Sequence, residues 1–144
     1  MNNYEDKLNE IVRGERSAVE TYNQILEKFS GEREASSITS MKNDHHQAVT
    51  NLETKLRATG TTPDKDSGAW GGVAKTVMGT AKLFGDKSAL KALKEGEEHG
   101  KKLYNELLEC DGLPRDVEDL VKGQLLPKQN QHITQIDNLM NRNA

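Results

Sequence analysis

The hydrophobic positions of the chain recur at intervals of three or four residues over four long segments, which is the spacing of one face of an α-helix. Charged and polar residues fill the positions between them, as expected for helices that bury one face and expose the other. The pattern predicts an all-α protein. The predicted helices run from about Tyr4 to Phe29, from about Glu32 to Thr59, from about Lys87 to Cys110, and from near Pro114 towards the C-terminus.

Residues that end or interrupt helices mark the limits of these segments. Gly31 follows the first segment, Gly60 is placed to cap the C-terminus of the second, and Gly112 follows the third. Asp86 is a candidate N-cap for the third helix. Pro127 lies inside the fourth segment, where its missing backbone N–H predicts a kink or a split of the helix.

The lengths of the connections predict how the helices are arranged. Very short connections follow the first and third helices, so each is predicted to form an antiparallel hairpin with the next helix. The link over about 61–85 is longer and reads as an extended loop followed by a glycine-rich helix from Trp70 to Phe84. Its two parts could span roughly 25 Å and roughly 24 Å, enough to cross a bundle about 40 Å long. Residues 1–144 are therefore predicted to form a single domain, a four-helix bundle of two hairpins joined by a long crossover with an extra short helix.

The two hairpins also resemble each other in sequence. Each begins with a helix that contains the pattern G-E-x6-Y-N-x-x-L-E. The pattern places Glu15 against Glu97 and Tyr22 against Tyr104 at a constant offset of 82 residues. This similarity indicates that the two halves of the bundle are related.

Four polar residues lie within the predicted hydrophobic stripes, one on each helix. They are Glu15, His45, Glu97 and His132, and the helical spacing turns all four towards one axis. A buried carboxylate is costly unless a partner compensates its charge. Two interpretations follow: the acids and imidazoles compensate one another as a polar core, or they hold a metal ion.

At this point the chain resembles the ferritin-like superfamily. The di-iron pattern of that superfamily takes one Glu from each of two helices and a Glu-x-x-His from each of the other two. In ferritins and bacterioferritins a Tyr follows the first-helix Glu by seven residues, and Glu15 with Tyr22 and Glu97 with Tyr104 keep that spacing. The resemblance covers most of the chain and implies a ferritin-like four-helix bundle. It is closest to an uncharacterised bacterial family of such bundles with an extra helix in the crossover.

The chain departs from the di-iron pattern at two positions. Where Glu-x-x-His is expected, Lys42 precedes His45 and Gln129 precedes His132, so both bridging glutamates are missing. This disfavours a di-iron centre with oxidase or ferroxidase activity. A single iron or zinc ion held by Glu15, His45, Glu97 and His132 remains chemically reasonable, because such N and O ligands suit these metals. Under that interpretation four further residues lie around the ligands and contact them instead of the ion: Tyr22, Tyr104, Gln129 and Lys42.

Composition and charge exclude several classes of function. The formal net charge of −3 argues against a nucleic-acid binder, which needs a dominant basic face. The single cysteine, Cys110, excludes an internal disulfide framework, and no apolar run approaches the ~20 residues that span a bilayer. The N-terminus lacks the features of a signal peptide, so the expected location is the cytoplasm.

The crossover helix carries an apolar face that includes Trp70 and Phe84. Packing against its own bundle or at the seam of a homodimer is the favoured interpretation, and attachment to a membrane surface is disfavoured. For the whole chain, the leading hypothesis is a non-enzymatic structural or interaction module with a relic polar core. The alternative is a metal-binding protein that holds iron or zinc, with di-iron oxidase or iron-handling activity disfavoured.

Overall fold

The structure, a computed structural model, describes residues 3–29, 31–63 and 86–142, and every regular element in those ranges is helical. The all-α prediction is therefore confirmed. The predicted crossover helix from Trp70 to Phe84 lies outside the described residues. The elements are α1 (Asn3–Lys28), α2 (Glu34–Ala58), α3 (Asp86–Leu108), α4 (Arg115–Leu120), a π-helical turn (Val121–Leu125) and α5 (Leu126–Arg142).

The helices pack as two hairpins, as the connection lengths predict. α1 packs most extensively against α2, and α3 against α5, while α1 and α3 join the two hairpins. Phe29 at the end of α1 and Ala89 near the start of α3 share one hydrophobic cluster, so these two helices run antiparallel. α2 consequently ends at the opposite end of the bundle from the start of α3, which is the arrangement that a long crossover connects.

The core consists of two hydrophobic clusters, one at each end of the bundle. The first includes Tyr22, Ile25, Phe29, Met41 and Leu93, and the second includes Leu8, Val12, Leu52, Leu107 and Val121. Between the two clusters the buried positions of the helices are polar: Glu15, His45, Glu97, Gln129 and His132. The hydrophobic ends thus hold a polar layer at mid-height, shielded from water by the apolar side chains on both sides.

Gly60 ends α2 in the way that the sequence predicts. Its φ of 86° lies in the left-handed region, where glycine avoids the steric penalty that other residues meet. The N–H of Gly60 donates to the carbonyl of Arg57, and the N–H of Thr61 donates to the carbonyl of Leu56. This pair of hydrogen bonds is the Schellman motif, and it satisfies two carbonyls that the helix end would otherwise leave open.

The fourth predicted helix is continuous but contains a π-helical turn instead of a sharp break. Its buried positions Val117, Val121, Leu125 and Gln129 are four residues apart, wider than the ~3.6-residue turn of an α-helix. A π turn accommodates the extra residue, and the N–H of Leu126 donates to the carbonyl of Val121, five residues earlier. Pro127 follows directly. The interruption that Pro127 predicts therefore takes the form of a π turn, which keeps Gln129 and His132 on the buried face.

Close helix packing at the polar layer depends on a glycine. Gly100 on α3 faces Gln129 on α5, and a Cβ built on Gly100 would lie 2.4 Å from the side-chain nitrogen of Gln129. That nitrogen donates a 2.8 Å hydrogen bond to the backbone carbonyl of Glu97. The missing side chain at position 100 thus lets α5 approach closely enough to bind the backbone of α3.

We expect the free energy of unfolding of Gly100→Ala to be about 1–3 kcal/mol lower than that of Gly123→Ala, because alanine favours the helix at both positions but at position 100 its methyl group must displace a buried, hydrogen-bonded side chain. Gly123→Ala is the matched control, since its Cβ would meet nothing within 4 Å. The control should be neutral or stabilising by up to about 1 kcal/mol, because alanine favours helix. Urea denaturation of both variants measures the difference, and equal stabilities would contradict the close approach.

Candidate metal centre

The polar layer brings together four residues from four helical segments. Glu15 lies on α1, His45 on α2, Glu97 on α3 and His132 on α5, and all four are almost completely buried. Each occupies a core-facing position of its helix. Helical periodicity therefore aims all four side chains at the middle of the bundle.

His45 bridges the two glutamates. Its Nδ1 lies 2.8 Å from Oε2 of Glu15, and its Nε2 lies 2.5 Å from Oε1 of Glu97. Both ring nitrogens thus face carboxylate oxygens, an arrangement that a doubly protonated imidazolium satisfies as a donor on each side. The ring links α1, α2 and α3 through one side chain.

Glu97 is the centre of the cluster. Besides His45, its carboxylate accepts a 2.6 Å hydrogen bond from the hydroxyl of Tyr22. The Nδ1 of His132 lies 3.3 Å from Oε1 and 3.4 Å from Oε2 of the same carboxylate. The side-chain amide of Gln129 also donates to the backbone carbonyl of Glu97. Glu97 is therefore bound by residues of α1, α2 and α5.

His132 connects the buried carboxylate to the edge of the bundle. Its Nε2 lies 2.9 Å from Oδ2 of Asp44, which is half-buried on α2 directly before His45. The sequence interpretation did not include Asp44. A signal was present, because a carboxylate next to a core histidine is turned about 100° around the helix, towards the neighbouring helix. Which neighbour it reaches depends on the packing of α2 beside α5.

The charges of the cluster shift the pKa values of its members in opposite directions. Burial by itself lowers the pKa of His45, but the carboxylates of Glu97 and Glu15 raise that pKa well above its usual 6.5. Burial by itself raises the pKa of Glu97, but the charge of His45 and hydrogen bonds from His132 and His45 lower it to about 2. The metal-free cluster therefore favours an ionised Glu97 beside a protonated His45.

The two tyrosines complete the cluster in a reciprocal way. Tyr22 on α1 donates to Glu97 on α3, and Tyr104 on α3 is hydrogen-bonded to Glu15 on α1. Burial, together with the nearby carboxylates, raises the pKa of both hydroxyls. Both phenols therefore stay protonated and act as donors. Each tyrosine of the repeated pattern thus binds the glutamate of the other hairpin.

The structure does not bring Lys42 into the cluster. Lys42 is half-buried one turn before His45, and no hydrogen bond or ion pair joins it to the cluster within the described residues. Gln129 reaches the layer through its amide nitrogen, which donates to the backbone carbonyl of Glu97. The two positions where di-iron proteins carry bridging carboxylates thus contribute no carboxylate here.

Three of the buried side chains could share one metal ion. One donor atom each of His45, Glu97 and His132 lies within 4.8 Å of the others. Glu15 is not part of this group, because it faces Nδ1 of His45 while Glu97 faces Nε2. The arrangement differs from the four-ligand set inferred from the sequence: it has three central donors, with Glu15 and Asp44 each bound to the outer nitrogen of a histidine.

Comparisons with known proteins agree with the helical architecture. The sequence profile of a family described as a domain of unknown function (DUF2383) matches residues 3–110. A solved structure from Bacillus anthracis str. Ames, described as ferritin like, diiron-carboxylate proteins, superposes with a TM-score of 0.74. The alignment covers 96% of this chain and 95% of that chain at 19% sequence identity. No curated protein has a significantly similar sequence.

Within the described ranges, none of the helices has the length and apolar character required to cross a bilayer.

The pKa shifts predict how the stability of metal-free protein depends on pH. The pKa of Glu97 falls from 4.5 in the unfolded chain to about 2, so its contribution is present above about pH 4.5 and is lost as the pH falls through about 2. The raised pKa of His45 gives a contribution that is complete below about pH 6.5 and is lost as the pH rises through the folded-state value. We therefore expect chelator-treated protein to have its highest unfolding temperature between about pH 4.5 and 6.5.

The neighbouring histidine provides the control for this profile. His45→Gln should remove the loss of stability on the alkaline side, because glutamine does not titrate. His46→Gln should leave the profile unchanged, because His46 is exposed. Thermal unfolding followed by circular dichroism across this range measures both. If the unfolding temperature of His45→Gln still falls as the pH rises, another group causes the loss of stability.

Proposed function

The chain belongs to the DUF2383 family of domains of unknown function and has a ferritin-like fold, and we propose that this bundle binds one divalent transition-metal ion through His45, Glu97 and His132. Imidazole nitrogens with one carboxylate oxygen are donors that suit zinc and iron(II) and are less suited to magnesium or calcium. The proposal favours the metal-binding alternative of the sequence interpretation over the structural module.

The observation that carries the proposal is the orientation of the two histidines. Each has one ring nitrogen directed at Glu97 and the other at a further carboxylate: Glu15 for His45 and Asp44 for His132. Metal-binding histidines almost always donate their outer N–H to such a partner, which fixes the tautomer and the ring plane. The two outer carboxylates would leave Nε2 of His45 and Nδ1 of His132 as the donors at the centre.

The balance of charge supports a dication. Glu15 and Glu97 place two formal negative charges in the apolar interior, and Asp44 adds a third at its edge. In the metal-free state the imidazolium of His45 lies between the two buried carboxylates. A divalent ion would replace that proton with a larger positive charge, which compensates buried carboxylates more completely.

The donor set fits one ion better than a di-iron centre. A di-iron site needs bridging carboxylates from the helices that carry the histidines, and here Lys42 and Gln129 occupy those positions. The central group contains a single carboxylate, Glu97. The protonated hydroxyls of Tyr22 and Tyr104 would serve as hydrogen-bond donors to the carboxylates.

A bound ion of this class would supply Lewis acidity or, for iron, redox chemistry. The chain's own residues would hold it and exclude water: Glu15 and Asp44 orient the two imidazoles, and the hydrophobic clusters above and below close the layer. The competing state is the metal-free bundle, in which His45 carries the proton and the layer is purely structural. The two states differ in the occupant of one position, so a binding measurement separates them.

We expect chelator-treated protein to bind one Zn²⁺ or Co²⁺ per chain in calorimetric titration, with release of protons. At a free ion concentration of 100 times Kd, binding should stabilise the fold by about 2.7 kcal/mol, visible as a higher unfolding temperature. Glu97→Gln and His132→Gln should lose this binding while retaining the helical circular dichroism of the wild type.

The matched controls are the exposed neighbours, Glu98→Gln and His46→Gln, which should bind as the wild type does. If the wild-type protein binds neither ion, the metal-binding function is excluded. If Glu97→Gln binds with unchanged affinity, the site at His45, Glu97 and His132 is excluded. The polar layer would then be a structural element, as in the leading hypothesis from the sequence.

A further inference from the structure

The hydrogen-bonded cluster approaches the surface at Asp44. The side chains of Glu97, His45 and His132 are 0%, 2% and 2% exposed, whereas that of Asp44 is 29% exposed. Among the described side chains of the cluster, Asp44 therefore has the largest contact with water. Of the two carboxylates that contact a ring of the central group from the outside, Glu15 is 6% exposed and Asp44 is 29% exposed.

His132 stands between this surface carboxylate and the buried one. Its Nε2 is bound to Asp44 and its Nδ1 faces Glu97. The ring therefore separates the solvent-facing end of the cluster from its centre.

A lysine lies at the outer side of the same carboxylate. The Nζ of Lys128 is 3.6 Å from Oδ1 of Asp44, and the Lys128 side chain is 53% exposed. An ion pair this exposed is held weakly and is screened by salt. The second oxygen of Asp44 is thus covered by a cation that exchanges easily.

We infer that Asp44 is the entry residue for cations to the buried layer, with Lys128 as the exchangeable cation that occupies its outer oxygen. This inference rests on the proposed metal centre and assigns the control of its loading. An incoming dication replaces Lys128 on the carboxylate, and Asp44 in turn loosens its hold on His132. The ring then turns and admits the ion to Glu97 and His45.

The entry role predicts that Asp44 affects the rate at which the ion binds but not the number of ions bound per chain. Asp44→Asn keeps an oxygen that accepts the hydrogen bond from His132 but removes the charge that attracts a cation. Asp44 and Lys128 should therefore act on association, whereas residues of the central group act on whether an ion is held at all.

The test is stopped-flow mixing of chelator-treated protein with Co²⁺, followed by the absorbance of the bound ion. We expect Asp44→Asn to slow association by tenfold or more while the protein still binds one ion per chain at saturation. Lys128→Gln should accelerate association, because the carboxylate is no longer covered. The control is Asp137→Asn, which removes another surface carboxylate of an ion pair, at 2.8 Å from Lys94, and should leave the rate unchanged.

The outcomes distinguish the entry role from the metal centre itself. The entry role would be overturned if Asp44→Asn bound Co²⁺ at the wild-type association rate, or if its only defect were faster dissociation. Asp44 would then only orient His132. An equal slowing in Asp137→Asn would also overturn it, because any surface carboxylate would then suffice. If the wild-type protein takes up no Co²⁺ at equilibrium, the metal centre fails, and the entry role fails with it.

Discussion

Two carboxylates buried in the middle of a helical bundle impose the constraint on which the rest of this structure depends. Glu15 and Glu97 lie between two hydrophobic clusters, where an ionised group is stable only with partners that supply donors or positive charge. His45, reaching both, supplies the charge, and Tyr22 and Tyr104 supply the donors. Because these partners come from several helices, satisfying the acids fixes how far each helix slides along its neighbours. The polar layer thus adds contacts across the bundle that depend on the register of the helices.

The same constraint explains why the site favours a cation. In the metal-free protein a proton on His45 compensates this buried negative charge, and under the proposed function a metal ion held by His45, Glu97 and His132 would compensate it instead. The outer contacts of the two imidazoles, to Glu15 and Asp44, serve both states. Under the proposed function, protons and metal ions would therefore compete for one buried position.

The two hairpins are similar in sequence but not equivalent in the site. Both glutamates accept a hydrogen bond from a tyrosine of the opposite hairpin. Glu97 additionally faces both histidines, whereas Glu15 faces only His45. Asp44 contributes to this difference, because it binds the outer nitrogen of His132 on one side of the bundle. The two similar halves therefore contribute unequally to the layer, with Glu97 as its central carboxylate.

The sequence by itself determined the helices, their pairing into hairpins and the four polar side chains that enter the core, because helical periodicity and connection length are local properties. It also identified Gly60 as a helix end, since left-handed backbone favours glycine. Only the tertiary structure decided that Asp44 joins the cluster, that Lys42 does not, and that Glu15 lies outside the central group of three donors. Those outcomes depend on which helix lies beside α2. They also depend on the π turn, which keeps His132 on the buried face of its helix. They follow from packing between residues far apart in the chain, which no single helix encodes.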